Sequence, residues 1–238
     1  MAVDAKHALV LDGVFHRVPA QSILQGAYLK VRPGQICGLF GLNGSGKSTL
    51  LRIAAGQMRP SSGLTIIDGT RFHKPARRER FKHIAYLPQN SMLPSDLRVR
   101  SLLKTLPDDG SALRTDSLMK PLLDRRVEEL SGGERRYVAT RFVLCLDRSY
   151  VLLDEPFTGV EPRIVDRLVQ HITDTATAGA GVLITDHYHQ YLLPLVDVAY
   201  LMWQKQCRPL GTGDEILTRL EDVGYLSRSQ AQRHSTSP

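Results

Sequence analysis

The stretch Ile36 to Gly56, ICGLFGLNGSGKSTLLRIAAG, reads as three consecutive pieces. The first, ICGLFG, is apolar and glycine-rich, the composition of a buried strand. The last, Lys47 to Gly56, places apolar side chains at helical spacing and stops at a glycine. Between them, residues 41–48 fit the phosphate-loop pattern G-x-x-x-x-G-K-[ST], in the strand-to-helix context such a loop requires. Gly41, Leu42, Asn43, Gly44, Ser45, Gly46, Lys47 and Ser48 are therefore predicted to wrap the phosphates of a nucleotide. The glycines let backbone amides turn inward, Lys47 reaches the β- and γ-phosphates, and the Ser48 hydroxyl is a magnesium ligand.

A second strand supplies the carboxylates. Tyr150 to Pro156, YVLLDEP, is an apolar run ending in two adjacent acids. Doubly wound sheets bind ligands at the carboxyl ends of their strands, so Asp154 is placed to hold magnesium. Glu155 should lie beside the γ-phosphate and orient and deprotonate an attacking water. Gln89, closing IAYLPQ, is expected to bridge magnesium, the water and the region that follows it. His187, closing VLITDH, suits a hydrogen bond to the γ-phosphate or the water. A metal pair of His187 and His189 is the rival, and it is disfavoured because alternate residues of a strand face opposite sides. Phe15 is a candidate for stacking on adenine or for the core.

A third stretch, Glu129 to Phe142, ELSGGERRYVATRF, opens as a helix start. Ser131 and Glu134 form a capping box, while Gly132 and Gly133 between them each give up about 1 kcal/mol of helix propensity. Bare amides at a helix start make a site that a phosphate can approach closely.

Composition narrows the setting. The chain has 238 residues, 42% of them hydrophobic and 23% charged, which suits one globular core with an inserted region. The longest apolar run, Tyr191 to Trp203, is interrupted by Asp197 and too short to span a bilayer. The N-terminal residues carry no signal-peptide core, so a cytoplasmic protein whose membrane role comes through a partner is expected. Cys37, Cys145 and Cys207 are far apart and are expected to stay reduced. A net charge of +7 suits an anionic partner. The basic run KPARRERFKH, residues 74–83, is read as a solvated helix face rather than a nucleic-acid patch.

Strands alternate with helical segments, which implies a mostly parallel sheet covered on both faces. Ala8 to Val31 reads as short strands, SSGLTIIDG as a strand pair, 90–130 as a mainly helical insert, and Pro162 to about Ala178 as a helix. A strand pair (VAYLMW, RPLGTGD) and a last helix over 214–226 follow, and 227–238 reads as a polar tail.

A phosphate loop, a glutamine loop, LSGGE, LLDEP and a terminal-strand histidine, in that order over residues 8–226, resemble the ATP-binding subunit of an ABC transporter. DEPFTGVEP, GVLITDH and GTGDEIL are similar to the branch containing the lipopolysaccharide-export and branched-chain amino-acid uptake ATPases. The resemblance implies an α/β P-loop NTPase core with a mostly parallel sheet, an N-terminal antiparallel β subdomain and a short inserted helical subdomain. It implies one ATPase domain over 1–226, with core and β subdomain at 1–89 and 131–215. Residue by residue, it implies that Phe15 stacks on adenine and that Gly41 to Thr49 bind ATP, with Thr49 joining the loop. Ser48, Gln89 and Asp154 would hold Mg2+, while Glu155 and His187 are catalytic. Ser131, Gly132, Gly133 and Glu134 would cap the ATP of a second copy or homologous subunit packed head to tail. That would explain two adjacent glycines at a helix start. The remaining implications are a separate integral membrane permease, docked near the insert on the inner face of the membrane, and no nucleic-acid partner. The loop after Glu155 carries Glu161 where the family usually has Asp, keeping the charge with a longer reach. A soluble assembly ATPase of the iron–sulfur scaffold type is the alternative with the same motifs.

Overall fold

The computed structural model describes residues 7–90 and 93–226; the tail expected over 227–238 lies outside them. The strands are β1 (Leu9–Val18), β2 (Gln21–Val31), β3 (Ile36–Gly41), β4 (Ser62–Ile67), β5 (Thr70–Phe72), β6 (Ile84–Leu87), β7 (Tyr150–Asp154), β8 (Gly181–Thr185), β9 (Val198–Trp203) and β10 (Gln206–Thr212). The helices are α1 (Lys47–Ala54), α2 (Arg77–Arg80), α3 (Val99–Leu103), α4 (Ser111–Thr115), α5 (Gly132–Leu144), α6 (Pro162–Thr177), α7 (His189–Leu192) and α8 (Asp214–Asp222).

Two sheets result. One has the order β10-β9-β3-β8-β7-β6, in which only the edge strand β10 runs antiparallel to its neighbour. The other, β2-β1-β4-β5, is antiparallel. The central strands β3, β7 and β8 are buried at every residue, as continuous apolar runs require when helices cover both faces. This is the α/β class that the alternation of strands and helices predicts. Their carboxyl ends deliver Gly41, Asp154 and the residues just beyond Thr185 to one edge.

Several elements differ from the sequence reading, each for a local reason. Residues 9–31 form one long hairpin instead of several short strands. Gly13 and Gly26 take positive φ values of 56° and 70°, and the β1–β2 register shifts beside Gly13, so the strands bend without ending. SSGLTIIDG is one strand followed by a turn: Asp68 and Gly69 both have positive φ and return the chain as β5. In the insert, α3, α4 and three 3₁₀ turns are short, and buried Leu102, Leu103, Leu113, Met119 and Leu122 join them to the main core. The last helix ends at Asp222, because Gly224 adopts a left-handed conformation and the Tyr225 amide bonds back to the Leu220 carbonyl.

The basic run is only partly a solvated face. Arg80 is 1% exposed and donates to the carbonyls of Ile53, Ala54 and Lys74, with its guanidinium over the Phe72 ring. Burial pushes its pKa down to about 10, so it stays charged where α1 ends. A cation suits that end of a helix dipole.

Candidate active site

The phosphate loop joins β3 to α1. Gly46, just before α1, has φ 106°, and no side chain caps the helix start. The first amides of α1 thus point outward without a side-chain acceptor, the arrangement that attracts an anion. A Cβ on Gly41 would fall 2.7 Å from Ser45 Oγ and 2.8 Å from Met202 Cβ, so only glycine fits. Gly44 faces open space. Lys47 is 6% exposed, with Nζ donating to the Gly41 and Leu42 carbonyls at 2.6 and 3.2 Å. Burial lowers its pKa, against the charges of Glu155 and Asp154.

The loop opens onto a cavity of about 450 Å³ lined by residues 43–49 together with Ile23, Gln89, Glu155 and His187. Four predicted parts of the site, the loop, Gln89, Glu155 and His187, therefore meet around one space. Asp154 sits beneath it, fully buried: Ser48 Oγ donates to its Oδ1 at 3.1 Å and Thr185 Oγ1 to the same atom at 3.0 Å. Tyr86 lies 3.4 Å from Oδ2, its phenol pKa raised by burial and by Asp154.

Glu155 is the most constrained residue of the site. It is 7% exposed and has φ 59°, a left-handed conformation that costs a residue with a Cβ about 1 kcal/mol. Its amide donates to the Thr185 carbonyl at 2.8 Å. Gln89 Nε2 donates to Oε2 at 3.1 Å, Thr158 Oγ1 to the same oxygen at 3.4 Å, and His187 Nε2 stands 2.9 Å from Oε1. The ring of His189 turns elsewhere, to the Tyr225 hydroxyl.

Sequence reasoning missed Arg136. This residue of α5 is 8% exposed and donates to the carbonyls of Pro88 (2.7 Å), Gln89 (3.1 Å), Glu155 (3.1 Å) and Asp154. Its guanidinium ties the glutamine segment to the end of β7. Burial lowers its pKa, opposed by Asp154, Asp186 and Glu155. One of several arginines on α5, it carries no sequence signal that sets it apart. Ile23, which lines the cavity from β2, was missed likewise.

At the start of α5 the capping box is present: Glu134 N bonds to Ser131 Oγ at 3.1 Å and Ser131 N to Glu134 Oε2 at 2.8 Å. Glu134 also pairs with Arg125 at 2.9 Å. These contacts, with the Ser131 amide first, lower the Glu134 pKa. The two glycines differ. A Cβ on Gly132 would meet nothing within 4 Å, whereas one on Gly133 would fall 2.7 Å from the Gly159 carbonyl oxygen. Gly133 is bare because the loop after Glu155 packs against it. None of Ser131, Gly132, Gly133 or Glu134 lines the phosphate cavity.

Phe15 does not line it either. Its ring is 37% exposed and lies against Gly26 of β2. A neighbouring cavity of about 340 Å³ shares Ile23 and the loop, and adds Leu42 and Trp203.

The family described as ABC transporter matches residues 24–158. The lipopolysaccharide export system ATP-binding protein LptB of Haemophilus influenzae is 31% identical over 222 residues, 88% of this chain and 92% of that one. LptB of Escherichia coli K12 is 36% identical over 215 residues, 82% and 86% of the two chains. An uncharacterized ABC transporter ATP-binding protein of Rhizobium meliloti is 32% identical over 225 residues, 88% of this chain and 82% of that one. Among solved structures, an ATP-binding subunit of an ABC transporter superposes with a TM-score of 0.80 at 22% identity, covering 97% of this chain and 100% of that one. A dimeric cassette in a post-hydrolysis state with ADP and Pi gives 0.77 at 18% identity, covering 85% and 98%.

Proposed function

The chain belongs to the ABC transporter ATP-binding family and is an ATP-binding, ATP-hydrolysing transport subunit; on that premise we propose how its own residues do the work. Gly41 to Thr49 hold the phosphates, with Lys47 moving from the Gly41 and Leu42 carbonyls to the β- and γ-phosphates. Buried Ser45 Oγ, without a hydrogen-bond partner, supports an occupant there.

Ser48, Asp154 and Gln89 would hold Mg2+. The donor set is oxygen-rich and hard, and Ser48 and Asp154 already converge at 3.1 Å, which fits that ion. When bound, the ion neutralises charge on the phosphates. Glu155 accepts the proton of the attacking water, and Gln89 and His187 hold its two oxygens in place. The observation that carries this reading is Glu155, held in a left-handed backbone at the rim of the phosphate cavity with a partner on each oxygen. Phe15 is the aromatic assigned to adenine, although Trp203, not Phe15, lines the neighbouring cavity.

Gly132 and the Ser131 cap are the half of a second site that a second copy's ATP completes, head to tail. The exposed, uncrowded Gly132 beside a fully formed cap supports this. ATP closes the pair and ADP releases it, so binding energy becomes movement. One ATPase domain to residue 226 would sit on the inner face of the membrane against a separate permease; among the described residues no helix is long and apolar enough to cross a bilayer. The relatives' names point to lipopolysaccharide export as the step such a subunit drives. Light scattering of Glu155→Gln tests the scheme: with MgATP a stable dimer should accumulate. A monomer at saturating MgATP would remove the head-to-tail site.

A further inference from the structure

Gly41 ends β3 and begins the phosphate loop, and both of its backbone polar groups meet one side chain from the other end of the chain. Its amide donates to the Tyr225 hydroxyl at 3.2 Å, and that hydroxyl donates to the Gly41 carbonyl oxygen at 3.2 Å. Pairing of β3 with β8 ends at Gly38. The left-handed Gly224 turns Tyr225 inward, edge-on to Phe40, with ring centroids 6.3 Å apart. His189 Nε2 is 3.2 Å from the same hydroxyl.

Lys47 makes this contact more than packing. The Gly41 carbonyl that Tyr225 touches is also the acceptor for the Lys47 ammonium at 2.6 Å. A tyrosine hydroxyl has one proton to give and two lone pairs. The Gly41 amide fills one lone pair. The tyrosine proton goes to the Gly41 carbonyl, whose second lone pair takes the Lys47 ammonium. Once phosphate draws Lys47 away, a half-buried carbonyl would lose its strongest donor, an unfavourable change. Burial raises the Tyr225 pKa, so the phenol stays a neutral donor.

We propose that Tyr225 is a positioning residue for nucleotide binding: its hydroxyl keeps the Gly41 carbonyl satisfied when Lys47 leaves for the phosphates. Occupancy of the phosphate loop is thereby coupled to the segment after α8. This rests on the reading of Lys47 as the phosphate-binding lysine. Coupling is reciprocal, so nucleotide should in turn order residues 222–226.

The fold contains its own control. Tyr200 bridges the amide and carbonyl of Lys30 at 3.2 and 3.4 Å, and neither residue lines the phosphate cavity. In the full-length chain, titration with a fluorescent ATP analogue and Mg2+ should show Tyr225→Phe binding about tenfold more weakly, the scale of one unmet buried group. Tyr200→Phe should bind within about twofold of the parent. Parent-like affinity in Tyr225→Phe, or equal weakening in both variants, overturns the proposal. Should Tyr225→Phe not fold, amide exchange in the parent decides: MgATP must slow exchange at residues 222–226, and indifference there overturns it. Lys47→Ala separates the two ideas. Parent-like affinity in that variant removes the phosphate-loop reading itself, whereas weakened Lys47→Ala beside parent-like Tyr225→Phe removes only the role of Tyr225.

Discussion

Two helix starts in this chain carry glycines, and they differ in how far the rest of the chain encloses them. At α1 the site is enclosed: Lys47 is buried, Ser48 meets Asp154, and a cavity of about 450 Å³ gathers Gln89, Glu155 and His187 around the loop. At α5 the cap is complete, yet Ser131 is exposed, Gly132 faces open space, and none of the four motif residues reaches that cavity. The difference teaches that a glycine-bearing helix start is not in itself a finished site. What matters is whether the rest of the chain closes over it.

The largest test of the enclosed site is Glu155→Gln. Turnover measured by phosphate release should fall about 10²–10³-fold while ATP affinity holds. Unchanged turnover would deny Glu155 the role of base. Lys47→Ala comes next: loss of a buried charge-assisted contact should weaken nucleotide binding about 10²-fold, read by titration.

The glycines of α5 sharpen the contrast. Gly133→Ala places a Cβ 2.7 Å from the backbone oxygen of Gly159, and should lower stability by about 2 kcal/mol in a urea melt. Gly132→Ala has room and gains helix propensity, so it should fold at least as well, yet turn over ATP about tenfold more slowly. A Gly132→Ala protein as active as the parent would show that nothing docks on the open start of α5.

The smallest effect concerns what holds α5 in place. Asp116 of the insert accepts from the Tyr137 hydroxyl at 2.7 Å and from Arg141 Nε at 3.3 Å, and its side chain is 9% exposed. Burial raises its pKa, but the hydrogen bonds from Tyr137 and the Leu118 and Met119 amides, with the Arg141 charge, outweigh it and bring the value below 3.8. A depressed carboxylate pKa stabilises the fold above the unfolded value of 3.8, and that contribution disappears as pH falls through the lower folded value. Asp116→Asn should therefore lose about 1 kcal/mol near neutral pH and show a flatter decline in stability in the acid range, by urea unfolding at stepped pH. An equally steep decline would mean that other carboxylates govern acid unfolding.

Much of the site was legible because its signals are local. The phosphate loop needs glycines and Lys-Ser in register, the strand ending in Asp154 and Glu155 is a continuous apolar run, and Ser131 with Glu134 is a three-residue spacing. Each follows from backbone sterics or hydrogen-bond reach over a few residues. Other assignments needed distant partners. Arg80 and Arg136 look in sequence like any surface arginine; only packing shows that both are buried against backbone carbonyls. The two glycines after Ser131 are identical in sequence, and the Gly159 carbonyl alone distinguishes them. Phe15, read as an adenine platform or core, lies on Gly26 outside the cavity lining.

From its sequence alone, then, this protein had its fold class, its phosphate-binding loop, its paired carboxylates and its capped helix start determined, because periodicity and short-range geometry specify them. Tertiary structure alone decided which arginine braces the backbone of Asp154 and Glu155, which glycine is closed off, and that Tyr225 comes to rest on Gly41, 184 residues away in the chain. Contacts over such separations depend on how sheets and helices stack, and no local pattern encodes that stacking.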